Sequence, residues 1–448
     1  MHVLPRLAAA VLLALLALSP VRAQGDPIAA VTSEARPDFP EGITFELEAE
    51  AGGADIVSVQ LLYGAARDGA LTVVDLPVRP GPRVEVSHYL DTRVYYIPPG
   101  TELVYRWAIV DADGNEQTTA PQTFVYHDER FNWSELSERN VTIYWYQGGA
   151  AFGQELMEVT TRTLDRLQSQ VGADLDLPVR IYIYASIRDM RSALQSNSVE
   201  WVGGQAHPSL GIIIGAIAPG DTAEVRRIIP HELSHQVLHQ ATDNPYGGTP
   251  VWFDEGLAVY NQEQRDLGWD EMVTAAAVSG TLIPLEALSA SFPADPERAT
   301  LSYAQSRDVV EFIANNYGDA ALRELTAAFA AATPVDEALP AVLGLTVDEL
   351  DAAWRATLPP QMSEPTTTAG PQSAPPSRFE DDPPPDPAQA QVAPGAPGEQ
   401  ADPLERLVAL PGWVLMAGLA LCCIVMVGVA GAALLIGLRL LGVDKRVS

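Results

Sequence analysis

The chain has 448 residues, with 58 Asp plus Glu against 27 Lys plus Arg and a net charge of -31. That surplus of negative charge repels phosphate backbones and argues against nucleic acid as a partner. The two cysteines, Cys422 and Cys423, are neighbours near the C-terminus, so no disulfide framework holds the rest of the chain and its stability must come from a buried apolar core.

Residues 1–23, MHVLPRLAAAVLLALLALSPVRA, hold a basic Arg6, an apolar run from Leu7 to Leu18 and the small residues Val21 and Ala23. That pattern predicts a cleavable secretory signal peptide. Residues 26–127 follow with short alternating runs such as ITFELEAEA, IVSVQLLYG and RVEVSHYLDTRVYYI, separated by turn signals at Pro98, Pro99, Gly100, Asp113 and Gly114. Alternation of this kind buries one face of each strand and predicts an all-β sandwich of about 100 residues. The pattern resembles a fibronectin type III or immunoglobulin-like module and suggests a spacer.

Residues 128–357 change character. VTIYWYQ and PVRIYIYAS are predicted strands on either side of an amphipathic helix from Phe152 to Val171, and GIIIGAI is a third strand. From Asp221 to about Trp354 the pattern is helical, so the layout is α+β. Asp221 and Glu224 can open a helix as a capping box. Pro230 lies inside that helix, where its ring removes a hydrogen bond and clashes with the preceding turn, so a kink or restart is expected.

Directly after Pro230 comes HELSH, with His231 and His235 four residues apart. On a helix that spacing places both imidazoles on one face, near enough to share one ion, with Glu232 positioned to reach the water such an ion activates. A catalytic zinc takes three protein ligands, so a third is required. His239 stands eight residues beyond His231, about 12 Å along a helix and too far to join the same sphere. Ala241 occupies the position where a metzincin would carry its third histidine. The segment GGTPVWFDEGLAVYNQE offers Glu255 in the second turn of a helix that Thr249 can cap and Pro250 can begin, with Gly256 allowing close backbone approach.

HELSH followed after 19 residues by WFDEGLAVY resembles the gluzincin metallopeptidases, in particular the peptidase MA-like group, whose Trp-x-x-Glu-Gly segment supplies the third ligand. The resemblance covers about Val141 to Trp354. It implies Zn2+ held by His231, His235 and Glu255, Glu232 as general base, and protein or peptide as substrate. It extends to Tyr303 in LSYAQSRDVVEFIANNYG, which it puts forward to steady the oxyanion; a tyrosine buried for packing is the alternative, and Tyr246, Tyr260 and His207 stand behind it.

Many gluzincins carry Asn ahead of the ligand glutamate, whereas this chain has Asp254. No Gly-x-Met-Glu-Asn string precedes His231, which distinguishes the chain from the aminopeptidase branch and favours cleavage within chains. A catalytically inactive surface binding or adhesion protein on the same scaffold is the competing reading. A structural zinc is disfavoured, because such sites close four protein ligands, commonly cysteines.

Residues 358–405 are rich in Pro, Ala, Gln and acid, with almost no large apolar side chain. Such a segment cannot bury enough surface to offset its ordering entropy and is expected to be a disordered stalk. Residues 408–440 contain an uncharged apolar run, Trp413 to Leu438, longer than the roughly 20 residues a membrane helix needs. Arg439, Lys445 and Arg446 lie on its far side, which assigns the tail at 441–448 to the cytoplasm and everything ahead of the helix to the extracytoplasmic side of the cell membrane.

Overall fold

The computed structural model describes residues 28–194, 203–265 and 268–361. The expected signal peptide, the stalk beyond residue 361, the membrane helix and the tail lie outside those residues. Among the described residues, no helix is long and apolar enough to cross a membrane. Two compact units are present, one built on Gly42–Asp91 and Glu102–Phe124 with the strand ahead of them, the other on Phe39–Glu41, Thr92–Thr101 and the chain from Val125 onward.

The first unit is β-rich. Its strands are β1 (Ile28–Asp38), β2 (Gly42–Ala51), β3 (Ile56–Ala65), β4 (Thr72–Leu76), β5 (Arg83–Asp91), β6 (Thr101–Asp111), β7 (Glu116–Thr118) and β8 (Gln122–Tyr126). One sheet has the order β1-β2-β5; the other runs β4-β3-β6-β7, with β8 also paired to β6. Period-2 alternation decides what each face buries: Ile43, Phe45, Leu47 and Ala49 of β2 are buried while Thr44, Glu46 and Glu48 are not. Phe45 joins the sheets, its ring 5.4 Å from Tyr63 and 5.3 Å from Tyr105. Burying a side chain of this kind contributes about 2–3 kcal/mol.

The second unit has a five-stranded sheet, β12-β13-β11-β10-β9, formed by β9 (Ser134–Glu138), β10 (Val141–Trp145), β11 (Val179–Tyr184), β12 (Gly204–His207) and β13 (Ile212–Ala216). The three strands expected from the sequence are β10, β11 and β13, which run parallel in the centre. The antiparallel edges β9 and β12 read SELSE and GQAH, too polar and short to register as strands.

Helices α1 (Gly149–Val171), α2 (Ile187–Arg191), α3 (Thr222–Thr242), α4 (Val251–Tyr260), α5 (Gly268–Ser279), α6 (Pro296–Ala330), α7 (Val335–Leu343) and α8 (Val347–Arg355) complete this unit. Gly318, at φ +77°, breaks α6. Ile181, Ile183 and Ile213 share one core with Leu156 of α1 and with Val225, Ile228 and Ile229 of α3. The alternate residues of β11 are aromatic: Tyr182 stacks on Tyr144 at 4.7 Å, and Trp133 stands edge-on to Tyr182 and Tyr184. With both faces covered, β11 is buried almost end to end, as a central parallel strand must be. Asp128, fully buried on the aromatic side, is satisfied by Arg130 and by the Tyr184 hydroxyl, which donates at 2.7 Å.

Candidate metal centre

Helix α3 begins at Asp221, whose side chain accepts from Glu224 N–H at 3.1 Å and satisfies one of the orphan donors of the first turn. Of the kink or restart expected at Pro230, a restart does not occur: α3 is continuous from Thr222 to Thr242 with Pro230 inside it. Pro230 has no N–H to offer Arg226, four residues earlier, and the Arg226 carbonyl accepts instead from Glu263 N–H at 2.9 Å. A partner from outside the helix thus replaces the missing bond.

Helix α4 also differs from expectation. Pro250, not Thr249, is its N-cap residue, at φ -57° and ψ 137° with no side-chain cap. Val251 N–H is satisfied by the Ser289 carbonyl at 3.0 Å, and the Thr249 hydroxyl turns to Thr242. Gly256 is required by packing: a Cβ there would meet the Ser306 carbonyl oxygen of α6 at 2.5 Å.

These helices bring His231, His235 and Glu255 together. The two Nε2 atoms are 3.4 Å apart, and Glu255 Oε2 lies 3.8 Å from His231 Nε2 and 3.6 Å from His235 Nε2. All three are nearly buried, at 3%, 8% and 2% exposure, and they form a group able to hold a metal ion. Tetrahedral zinc with ligand bonds near 2.0–2.1 Å separates its donor atoms by about 3.4 Å, so the triangle fits.

The donor chemistry agrees with that fit. Burial holds the His231 imidazole well below its ordinary pKa, aided by His235 and Arg227, so it stays neutral and its lone pair is free to ligate. For His235 burial works in the same direction, but the Asp254 and Glu255 carboxylates outweigh it and push the group up to about 10. That proton must leave before His235 can ligate through Nε2, and the Asp254 and Glu255 carboxylates that hold it would then face a cation in its place.

Glu232, 4% exposed, lies beside this triangle. Burial pushes its carboxyl up to about 7, with His235 and Arg227 opposing and the Ala206 N–H donating to it. Gly204 leaves the room it needs, since a Cβ there would meet Glu232 Oε1 at 2.7 Å.

Each histidine has an orienting partner. His235 Nδ1 is 2.7 Å from Asp254 Oδ1, and His231 Nδ1 is 3.0 Å from the buried Gln262 amide. The Asp254 carboxylate can only accept, so it fixes the proton of His235 on Nδ1 and leaves Nε2 free for an ion; Gln262 can do the same for His231 once its amide turns Oε1 toward the ring. Sequence reading left Asp254 without a role and missed Gln262, which lies past the end of α4 and so carries no helical-spacing signal.

The remaining candidates come from different elements. Tyr303 is buried in α6, one turn before Ser306, with its ring edge-on to Phe292 at 4.9 Å. The neighbouring Gln305 clamps both the N–H and the carbonyl of Ile283 at 2.9 Å. His207 is buried at the end of β12, 6.1 Å from the Tyr96 ring. Tyr246 is 87% exposed, and Tyr260 ends α4 half-buried.

The sequence profile of the Peptidase MA superfamily matches residues 159–359, which include both histidines, Glu232 and Glu255. No curated protein matches the chain significantly. Among solved structures, the chain is similar to Legionella pneumophila aminopeptidase A in complex with aspartic acid, at 10% identity and a TM-score of 0.34, covering 73% of this chain and 49% of that one. A polysaccharide deacetylase from Bacillus cereus shows 9% identity and a TM-score of 0.19, covering 36% of this chain and 53% of its own. The purple acid phosphatase PPD1 of yellow lupin shows 12% identity and a TM-score of 0.19, over 43% and 35%. The chain spans about half the length of the first two proteins and about a third of the last. The likeness that bears on chemistry is therefore that of residues 159–359 to the Peptidase MA superfamily, a peptidase scaffold whose members are typically metal-dependent.

Proposed function

We propose that the chain is a zinc metallopeptidase, anchored in the cell membrane with its catalytic unit outside, that cleaves within peptide chains. The observation carrying this reading is the buried triangle of His231, His235 and Glu255 with the Glu232 carboxyl beside it. When bound, zinc would polarise the scissile carbonyl and lower the pKa of a water toward about 7. Glu232, with its proton affinity raised by burial and its carboxylate fixed by Ala206 N–H, takes a proton from that water and delivers it to the leaving amine. Tyr303 is assigned to the developing oxyanion, a role resting on the resemblance of its segment to the gluzincins. The β-rich unit serves as a spacer, in keeping with its fibronectin- or immunoglobulin-like pattern.

The test is digestion of an unbiased peptide library by residues 24–360, with and without chelator, beside Glu232→Gln. We expect internal cleavage that chelation abolishes, and a variant that keeps zinc while losing activity by several orders of magnitude. Zinc binding without any cleavage would favour the binding-protein reading. Products trimmed only from free N-termini would reject the endopeptidase assignment.

A further inference from the structure

We propose that Gln262 is the positioning residue of His231, and that Pro230 and Glu263 together hold it in place. The inference rests on the zinc reading above and extends it to residues that no metal would touch. Gln262 lies just past α4, 6% exposed, with its amide Nε2 placed 3.0 Å from His231 Nδ1. If His231 ligates through Nε2, its Nδ1 carries the proton and must donate, so the amide must turn to present Oε1 in place of Nε2. The two ends of an amide exchange by a half-turn about its last side-chain bond, which makes this orientation accessible without moving the backbone.

A side chain can orient a ligand only if its own backbone is fixed, and here the fixing is dense. Glu263 N–H donates to the Arg226 carbonyl at 2.9 Å, the acceptor that Pro230 leaves without its helical donor. The ring of Pro230 also crowds that carbonyl and turns it away from the helix axis, toward an external donor. The Glu263 carboxylate accepts from Arg162 at 3.1 Å and Arg166 at 3.3 Å, both on α1. Arg166 donates in addition to the Asn261 carbonyl at 2.7 Å, on the other side of Gln262. Gln262 is thus pinned from both neighbours, to α1 and to the turn of α3 that precedes His231.

Residues 254–262, from the middle of α4 to just past its end, therefore contribute a ligand and both orienting groups: Asp254 for His235, Glu255 next to it, and Gln262 for His231. The two partners differ in charge. Asp254 draws a cation as well as aiming a ring, whereas Gln262, a neutral amide, aims without adding charge to a buried site.

The experiment measures zinc affinity by chelator competition, together with ring N–H signals of ¹⁵N-labelled zinc-loaded protein, in wild type, Gln262→Met, Gln262→Glu and Glu263→Ala. Methionine fills the same volume without an acceptor. Gln262→Met should bind zinc 10- to 100-fold more weakly and lose the exchange-protected Nδ1–H signal of His231 while keeping that of His235. Gln262→Glu, which restores an acceptor, should recover both the affinity and the signal. Glu263→Ala should weaken zinc binding by a smaller factor that vanishes at high salt, since the ion pairs it removes are screened there. The metal-free melting temperature should be the same in wild type and Gln262→Met, which separates positioning from a general structural role. Wild-type zinc affinity and an intact His231 signal in Gln262→Met would overturn the inference. Wild-type protein that takes up no zinc would instead defeat the underlying metallopeptidase reading.

Discussion

Asp254 and His235 form a 2.7 Å contact between a carboxylate oxygen and Nδ1, and Asp254 is the immediate neighbour in sequence of Glu255. One helical turn thus carries both a ligand and the group that aims another. Asp254→Ala should lower zinc affinity by about 10- to 100-fold. Asp254→Asn keeps an acceptor for Nδ1–H but removes the charge, so its loss should be smaller. Chelator competition at fixed pH would rank the three proteins, and equal affinities would mean that the contact plays no part in metal retention.

Gly256 separates Glu255 from α6 by almost nothing. A Cβ would lie 2.5 Å from the Ser306 carbonyl oxygen, a backbone atom that cannot swing aside as a flexible side chain would. In Gly256→Ala the two helices must part, at a cost of about 1–3 kcal/mol. The change should both lower the melting temperature of the second unit and reduce bound zinc, because Glu255 moves with its helix. A variant as stable and as zinc-replete as wild type would contradict the close helix contact.

Gly204 makes room for Glu232 in the same steric manner. An added methyl would meet Glu232 Oε1 at 2.7 Å and Ile228 Cγ2 at 2.9 Å, so the carboxylate must shift while His231, His235 and Glu255 need not. Gly204→Ala should retain zinc and lose at least tenfold in kcat, with little change in KM. Loss of zinc instead would show that β12 supports the ligands and not Glu232 alone.

How far the sequence could reveal this arrangement depended on the length scale of each signal. The grouping of His231, His235 and Glu255 was legible because the two histidines are fixed by helical spacing and Glu255 by a second motif at a set distance. The central strands β10, β11 and β13 announced themselves through long β-branched and aromatic runs. The edge strand β12 did not, because GQAH takes its conformation from pairing with β13 and from α3, not from its own residues. Continuity through Pro230 was equally hidden: the local rule predicts a break, and the donor that compensates sits 33 residues later, at Glu263. The cap of α4 failed for a similar reason, since the Ser289 carbonyl takes over the N–H that a Thr249 cap would have served. Asp254 and Gln262 could be read only with His231 and His235 already placed in space.

Acid stability should depend on His207, a histidine outside the group formed by His231, His235 and Glu255. His207 is 6% exposed, and burial pushes its imidazole down to about 4 from an ordinary value of 6.5. The folded protein therefore favours the neutral ring, while the unfolded chain takes up a proton once the pH drops below about 6.5. The contribution of the neutral ring is complete above about pH 6.5 and is lost as the pH falls toward 4, a change of about 3 kcal/mol across that window. Zinc release adds its own acid sensitivity, so the comparison belongs to chelated, metal-free protein. Denaturant unfolding of wild type and His207→Asn between pH 7.5 and 4.5 should show wild type losing about 2–3 kcal/mol more than the variant. Parallel stability curves for the two proteins would mean that His207 titrates normally and that its burial carries no acid-sensitive cost.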